Sequence, residues 1–181
     1  LNSPAVSADG ATIYVGSYNN GKLHAVRTLD GTAMWTYTTG GDIFSSPALS
    51  ASGETIYIGS KDKMLHAVRA SDGTVMWTCT TGGEIHSSPT LSADGATIYV
   101  GSVDSKLYAV SASDGTQKWT YTTGGDVRSS PAISADGATI YVGSSDKKLY
   151  AVRASDGTVK WNVIMDNINY HSSPTISPDI S

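Results

Sequence analysis

Residues 129–161 read SSPAISADGATIYVGSSDKKLYAVRASDGTVKW, and three earlier copies of this stretch precede it in the chain. A tryptophan closes each copy, and Trp35, Trp77, Trp119 and Trp161 follow one another at intervals of 42 residues. Self-similarity at a period of about 20–50 residues is typical of solenoids and propellers, in which one structural unit is stacked repeatedly. The 181-residue chain is therefore best divided into repeats.

Each repeat contains four short segments with β-type sequence. In the third repeat these segments are Ser88–Ser92, Thr97–Ser102, Lys106–Val110 and Lys118–Thr122. They are rich in Thr, Tyr, Val and Ile, which strands prefer. Asp94-Gly95 separates the first two and Asp114-Gly115 the last two, and Asp-Gly tolerates the positive φ that tight hairpins require. The sequence predicts a four-stranded antiparallel meander in every repeat, which is the blade of an all-β propeller.

The apolar residues of these segments indicate that each blade is covered on both faces. A sheet with one solvated face alternates apolar and polar residues, but residues 98–100 (Ile-Tyr-Val) and 107–110 (Leu-Tyr-Ala-Val) do not. We therefore expect each blade to pack between two neighbours, with tryptophan as the large ring that enters the next blade. Gly101 and Ala109 are the small residues that we expect to leave room for this ring.

The bulk composition argues against several classes of function. The formal net charge is −4, and no basic stripe is present to neutralise a run of phosphates, so nucleic acid is not an expected partner. No apolar run approaches the ~20 residues that cross a bilayer. Cys79 is the single cysteine, and we expect a buried, unreactive thiol. The Asp-Gly turns lack the spacing of a calcium loop, so no metal site is predicted.

The spacing around each tryptophan resembles a known repeat. An alanine lies ten residues before the tryptophan and a glycine four residues before it, in the sets Ala25/Gly31/Trp35, Ala67/Gly73/Trp77, Ala109/Gly115/Trp119 and Ala151/Gly157/Trp161. This resembles the tryptophan-docking motif A-x-D-x-x-T-G-x-x-x-W of the PQQ-like, quinoprotein-type β-propeller family. Two positions depart from the motif: the family Asp is replaced by Arg27, Arg69, Ser111 and Arg153, and the family Thr by Asp30, Asp72, Asp114 and Asp156.

The resemblance implies two classes of function. Some family members are quinoprotein dehydrogenases with pyrroloquinoline quinone (PQQ) and a metal ion on the propeller axis, and others are non-catalytic scaffolds or sensor domains. The enzymes need an aromatic floor under the quinone, a carboxylate base, Ca²⁺ ligands and, in many members, adjacent cysteines. All four tryptophans here occupy the docking position, and one cysteine cannot form such a pair. We therefore predict no catalytic residue, metal or cofactor in this chain.

Differences between the repeats mark the positions where function has room to act. The hairpin between the second and third segments varies, and we interpret it as a solvated tip. The link from one blade to the next also varies, and it should lie near the mouth of the central channel. Our candidates for ligand or partner contact in this link are Phe44, His86, Arg128, Tyr170 and His171.

Counting the repeats predicts an incomplete ring. We expect a single propeller segment over residues 1–181 whose blades span about 3–41, 46–83, 88–125 and 130–168, followed by an extra inner strand at 173–177. The chain also opens inside a motif, so we expect an arc of a ring with seven or eight blades. The missing blades would come from further chain or from a second copy.

The functional prediction is a non-catalytic β-propeller scaffold that binds a protein or a ligand. One alternative is part of a PQQ-dependent dehydrogenase whose active residues lie outside this segment, and only this reading brings PQQ and Ca²⁺ as cofactors. The other alternative is an extracytoplasmic sensor domain. The resemblance favours a periplasmic or otherwise extracytoplasmic location, although the residues themselves specify no compartment.

Overall fold

The structure is a computed structural model that describes residues 2–165 and 172–176. In this part of the chain, sixteen strands form four antiparallel sheets of four strands each, which we call blades 1 to 4. Blade 1 comprises β1 (Ala5–Val6), β2 (Thr12–Gly16), β3 (Lys22–Arg27) and β4 (Ala33–Thr38). Blade 2 comprises β5 (Ala48–Leu49), β6 (Thr55–Gly59), β7 (Met64–Arg69) and β8 (Val75–Thr80).

Blades 3 and 4 repeat this pattern. Blade 3 comprises β9 (Thr90–Leu91), β10 (Thr97–Gly101), β11 (Lys106–Ser111) and β12 (Gln117–Thr122). Blade 4 comprises β13 (Ala132–Ile133), β14 (Thr139–Ser144), β15 (Lys148–Arg153) and β16 (Val159–Ile164). Strands pair in the order of the chain in every blade. The predicted meander and the all-β fold class are confirmed. No helix long and apolar enough to cross a membrane occurs among the described residues.

Hairpin turns form where the sequence places Asp-Gly pairs. Gly95 between β9 and β10 has φ +69° and Gly115 between β11 and β12 has φ +74°, a region that glycine enters without strain. The preceding aspartate closes the turn, since the Asp114 carboxylate accepts a hydrogen bond from the backbone N–H of Thr116 at 3.0 Å. The turn chemistry therefore acts as the sequence predicts.

The hydrophobic core lies between blades rather than within them. One apolar cluster joins each successive pair of blades. Between blades 2 and 3, for example, Leu65 and Ala67 of β7 pack with Ile98 of β10 and Val110 of β11, and all four are fully buried. Both faces of the inner blades are therefore covered, as their uninterrupted apolar segments predict.

Tryptophan docking joins the outer strand of one blade to the next blade. The Trp77 indole Nε1–H donates to the carbonyl of Ala112 at 3.1 Å, and the ring lies so close to Gly115 that a Cβ there would meet Cε3 at 2.6 Å. Trp35 and Trp119 repeat this contact with the blades that follow them. The docking glycine thus belongs to the next repeat and not to the tryptophan's own.

The predicted docking sets are corrected by this shift of one repeat. Gly157 was grouped with Trp161, but it lies against Trp119 of blade 3, where an added Cβ would meet the indole Cε3 at 2.6 Å. Trp161 itself is 46% exposed, so Gly157 and Trp161 do not form one docking unit. The alanines do stay with their own tryptophans, as cross-strand partners in the pairs Ala25–Trp35, Ala67–Trp77, Ala109–Trp119 and Ala151–Trp161.

Two expectations about small residues were also wrong. Gly101 leaves room for Val127, whose Cγ1 lies 2.4 Å from the position of an added Cβ, and not for a tryptophan. Ala109 pairs across the strands with Trp119 of its own blade and does not receive a ring from the preceding blade. The ring enters further out, at Gly115, because this turn glycine exposes backbone that an indole can cover.

The predicted extra inner strand at 173–177 does not form in the part that the structure describes. Residues 172–176 adopt no regular strand. A first strand pairs with the second strand of its own blade, and the sequence contains no segment that could be that partner. Ser173 nevertheless keeps its repeat position, because its Oγ accepts the backbone N–H of Ser130 at 3.1 Å.

Candidate binding surface on the inner strands

The link between two blades alternates between buried and accessible side chains. In the first link Ile43, Ser45 and Pro47 are buried, whereas Phe44 and Ser46 remain partly exposed. Ser45 is held by β6, since its Oγ donates to the Gly59 carbonyl at 2.9 Å and accepts the Gly59 N–H at 2.8 Å. This alternation directs every second side chain towards the channel side, which is why those positions are free to vary.

A row of serine hydroxyls connects the inner segments of successive blades. The backbone N–H of Ser3 donates to Ser46 Oγ at 2.8 Å, that of Ser46 to Ser88 Oγ at 2.8 Å, and that of Ser88 to Ser130 Oγ at 2.9 Å. We call Ser46, Ser88, Ser130 and Ser173 the serine row. Each hydroxyl accepts in these bonds, and no acceptor for its own proton occurs among the described residues, so the row presents hydrogen-bond donors.

Three of the five predicted contact residues lie together at one cavity. The cavity has a volume of about 680 Å³ and is lined by the serine row with Phe44, Lys61, Glu84, His86 and Arg128. The sequence analysis selected Phe44, His86 and Arg128 from different repeats, and the fold brings them to one surface. Tyr170 and His171 lie outside the described residues. We refer to this site as the inner cavity.

An aromatic stack forms one wall of the inner cavity. The rings of Phe44 and His86 are stacked with centroids 4.7 Å apart and planes at 4°. Tyr18 meets the Phe44 ring edge-on at 4.8 Å, and the Lys61 ammonium lies 4.8 Å from the centroid of the same ring. Offset and edge-on pairs of this kind fix ring orientation. The stack is therefore a preformed apolar plane between two successive links.

Charged side chains surround the stack, and each is paired with a neighbour. His86 Nε2 lies 2.8 Å from Glu84 Oε2, and Arg128 Nη2 lies 2.9 Å from Asp126 Oδ2. Both carboxylates are more than one-third exposed, at 40% and 35%. Partly exposed pairs contribute little to stability. They can therefore exchange partners with an incoming ligand at small cost.

The residues at this surface do not fit PQQ with Ca²⁺. No group of three or more His, Cys, Asp or Glu side chains that could hold a metal ion occurs in the described part of the chain. The carboxylates of Glu84 and Asp126 are already paired with His86 and Arg128. Trp35, Trp77 and Trp119 are used between blades, so none of them provides a floor for a planar quinone.

The hairpin between the second and third strands is not merely a solvated tip. Asp62 accepts the backbone N–H of Gly40 from the preceding blade at 2.8 Å, and Asp104 and Asp146 repeat this contact at 2.9 Å. A side chain at Gly40 would meet the Cβ of Asp62 at 3.1 Å. The signal that reveals this contact is an aspartate that persists in a varying hairpin opposite a persistent Gly-Gly pair.

A buried histidine bridges blades 1 and 2 beside this contact. The Tyr37 hydroxyl lies 2.9 Å from His66 Nδ1, and His66 Nε2 lies 3.0 Å from Asp62 Oδ2. Burial lowers the pKa of His66 below its usual value, and the nearby Asp62 carboxylate opposes this effect only in part. Neutral His66 therefore accepts from Tyr37 and donates to Asp62, which satisfies both ring nitrogens.

The equivalent positions in the other interfaces carry tyrosine. The Tyr108 hydroxyl donates to Asp104 at 2.5 Å, and burial followed by this hydrogen bond raises the pKa of Tyr108 to about 12. Cys79 lies near Tyr108 in the same apolar cluster, and burial raises the pKa of its thiol. A raised pKa disfavours the thiolate, so Cys79 is unreactive.

Meander blades joined by docked tryptophans define a PQQ-like β-propeller segment. The chain belongs to the family described as "Outer membrane protein assembly factor BamB", whose model matches residues 19–169. Among solved structures it is similar to BamB from Moraxella catarrhalis, with a TM-score of 0.74 and 19% sequence identity over 90% of this chain. The match covers 48% of that BamB chain, so this chain spans about half of its length. No curated protein matches the sequence significantly.

Proposed function

We propose that the chain is part of a non-catalytic propeller scaffold that binds an extended polypeptide segment across the inner cavity. The observation that carries the proposal is the cavity itself, in which variable side chains from three links converge beside a row of hydroxyl donors. The family description, an outer membrane protein assembly factor, supports a binding role and an extracytoplasmic location.

The serine row matches the backbone of an extended polypeptide. A peptide in extended conformation presents carbonyl oxygens at regular intervals, and these oxygens are acceptors for hydroxyl protons. The protein side of the row already accepts an N–H at Ser46, Ser88 and Ser130, which holds each oxygen in place. Because the hydroxyls are positioned before binding, little rotational freedom is lost on complex formation.

The side chains around the row determine which segment binds. The lining of the cavity carries two cations, Lys61 and Arg128, and one carboxylate, Glu84. The Phe44–His86 stack adds an apolar plane. These features favour a segment with an aromatic residue next to an acidic one, because the ring covers the stack and the carboxylate meets Arg128. Arginine forms two parallel hydrogen bonds with a carboxylate, which adds geometric selectivity.

The proposal is tested with fluorescent twelve-residue peptides that carry either an aromatic-acidic pair or an aromatic-basic pair. Fluorescence anisotropy should show tighter binding of the acidic series, and F44A and R128A should each weaken it at least about tenfold. L29A and R153A are matched controls, since Leu29 and Arg153 are exposed and lie outside the cavity. Equal binding of both series, or equal loss with the controls, would contradict the proposal.

The dehydrogenase alternative has a distinct readout. The protein, supplied with PQQ, Ca²⁺ and an alcohol or sugar, should not reduce an artificial electron acceptor above the background rate. Reduction that depends on the protein would overturn the non-catalytic assignment. Cell fractionation tests the location, and recovery of the protein with cytoplasmic markers would contradict an extracytoplasmic one.

A further inference from the structure

The three interfaces inside the chain are copies of one design with two unlike halves. The leading half, on the outer strand of a blade, presents a tryptophan with a tyrosine beside it. The receiving half, on the following blade, presents a glycine with positive φ and a backbone carbonyl. Between blades 2 and 3 these groups are Trp77, Tyr57, Gly115 and Ala112.

Blade 4 carries an uncovered leading half. Trp161 is 46% exposed, and Val163 beside it is exposed to the same extent. The ring nevertheless has the arrangement found in the interior, since Tyr141 and Trp161 have centroids 5.8 Å apart, as do Tyr57 and Trp77. The docking group is thus preformed before any partner arrives.

Blade 1 carries the matching receiving half. Gly31 has φ +72°, and a Cβ added there would meet no atom within 4 Å, whereas Gly73 lies against Trp35. Thr28 stands where Ala70 provides the carbonyl for Trp35, and both residues donate their N–H to the preceding hairpin at 2.9 Å. The backbone at Thr28 is therefore in the conformation that receives an indole.

We propose that the two end faces pair between two copies of this chain, so that Trp161 of each copy docks on Gly31 and Thr28 of the other. The arrangement has two identical interfaces related by a two-fold axis and closes a ring of eight blades. The closure is supported by the extent of the likeness to BamB, because one chain superposes on 48% of that structure. Two copies therefore supply as much propeller as one whole chain of that protein.

The apolar residues of the receiving face agree with this occupant. Ile13, Val15 and Val26 are half-buried, although their equivalents Ile56, Ile58 and Val68 are fully buried by blade 1. An exposed apolar sheet face of this kind favours association. A second copy offers a leading half of the type that covers these positions elsewhere in the chain, so no new contact chemistry is needed.

The test measures molar mass by light scattering after size exclusion, over a wide range of protein concentration. The wild-type chain should approach twice the chain mass at high concentration and stop there. W161E and G31N should each remain monomeric, since one removes the docking ring and the other fills its place. Asparagine is chosen because it tolerates positive φ better than other side chains.

G10N is the matched control, because Gly10 also has positive φ but its equivalents Gly53 and Gly95 contact nothing within 4 Å even with neighbouring blades present. It should dimerise like the wild type. Mixing W161E with G31N should restore a dimer, since intact Trp161 of one variant meets intact Gly31 of the other. A wild-type monomer at all concentrations, open-ended polymers, or dimers that survive both substitutions would overturn the proposal.

Discussion

Blades 2 and 3 differ from blades 1 and 4 in burial, although the four sequences are nearly the same. All five residues of β6 and β10 are buried, whereas in β2 burial alternates with partial exposure. On the other side, β8 keeps Cys79 buried, but every residue of β16 is exposed. The same repeat therefore has a covered or an open face according to its neighbours.

This difference shows that the stabilising unit is the interface and not the blade. Each apolar cluster takes residues from two blades, and a blade without a neighbour leaves half of a cluster uncovered. In repeat proteins stability is approximately a sum over repeats and nearest-neighbour interfaces. Substitutions at equivalent positions of inner and outer blades should therefore have different costs.

The largest difference is expected for tryptophan. W77A removes an indole that is docked between two blades and should lower the free energy of unfolding by about 3 kcal/mol, at the lower end for buried aromatic residues. W161A removes an exposed ring and should cost less than about 1 kcal/mol. Urea denaturation at low protein concentration, where association does not contribute, measures both. Equal costs would contradict the interface account.

The next difference concerns glycines with the same backbone conformation. Gly115 has φ +74° against the Trp77 ring, and Gly137 has φ +71° with nothing within 4 Å. Both G115A and G137A should incur about 1–2 kcal/mol of backbone strain, and G115A should incur a further 1–3 kcal/mol, roughly, from overpacking against the indole. Thermal unfolding of the two variants compares them. A cost for G137A that matches G115A would show that only backbone strain matters.

A smaller effect is expected for the aspartate between blades. Asp104 accepts hydrogen bonds from the Gly82 N–H of the preceding blade and from the Tyr108 hydroxyl. D104A should lower stability by about 2 kcal/mol, since both donors lose a charged acceptor. D114A, which affects only a turn within blade 3, should cost less. Denaturation midpoints of both variants decide the matter, and the reverse order would contradict an inter-blade role for Asp104.

The smallest effect is a dependence on pH. Burial lowers the pKa of His66 in the folded state, so at acidic pH the unfolded chain binds a proton that the folded chain does not. Stability is therefore complete above the unfolded pKa of about 6.5 and declines as the pH falls below it towards the folded pKa.

The matched variant for this prediction is H66Y, which copies the Tyr121–Tyr150 pair of the last interface. Denaturation midpoints between neutral and mildly acidic pH should decline less for H66Y than for the wild type. The carboxylates titrate at lower pH, so they contribute mainly a common background. Identical slopes for the two proteins would show that His66 is not the group responsible.

The fold could be predicted from the sequence because its signals are local and repeated. The 42-residue period, the Asp-Gly turns and the doubly apolar strands each specify a feature within one repeat. The docking partner could not be found in this way. Gly157 stands four residues before Trp161 in the motif, but it receives Trp119 of the preceding blade, and Gly31 has no preceding blade to receive. A repeat shows which residues recur and not which copies meet.

The candidate site was predicted in part for the same reason. Phe44, His86 and Arg128 differ between otherwise similar links, and variation marked them as accessible. The stacking of Phe44 on His86 depends on the separation of neighbouring links, which no single repeat encodes. Lys61 was missed because it lies in a hairpin that the sequence alone could not place beside Phe44. Whether these residues bind a partner remains a prediction.

The most direct test is solvent exchange of the four indole N–H protons, followed by nuclear magnetic resonance at low protein concentration. The indole N–H groups of Trp35, Trp77 and Trp119 donate to carbonyls of the next blade at 3.0–3.1 Å. These three protons should exchange slowly, and that of the exposed Trp161 should exchange fast. Fast exchange of all four protons would contradict docking between blades, and equal protection of Trp161 would contradict an open end face.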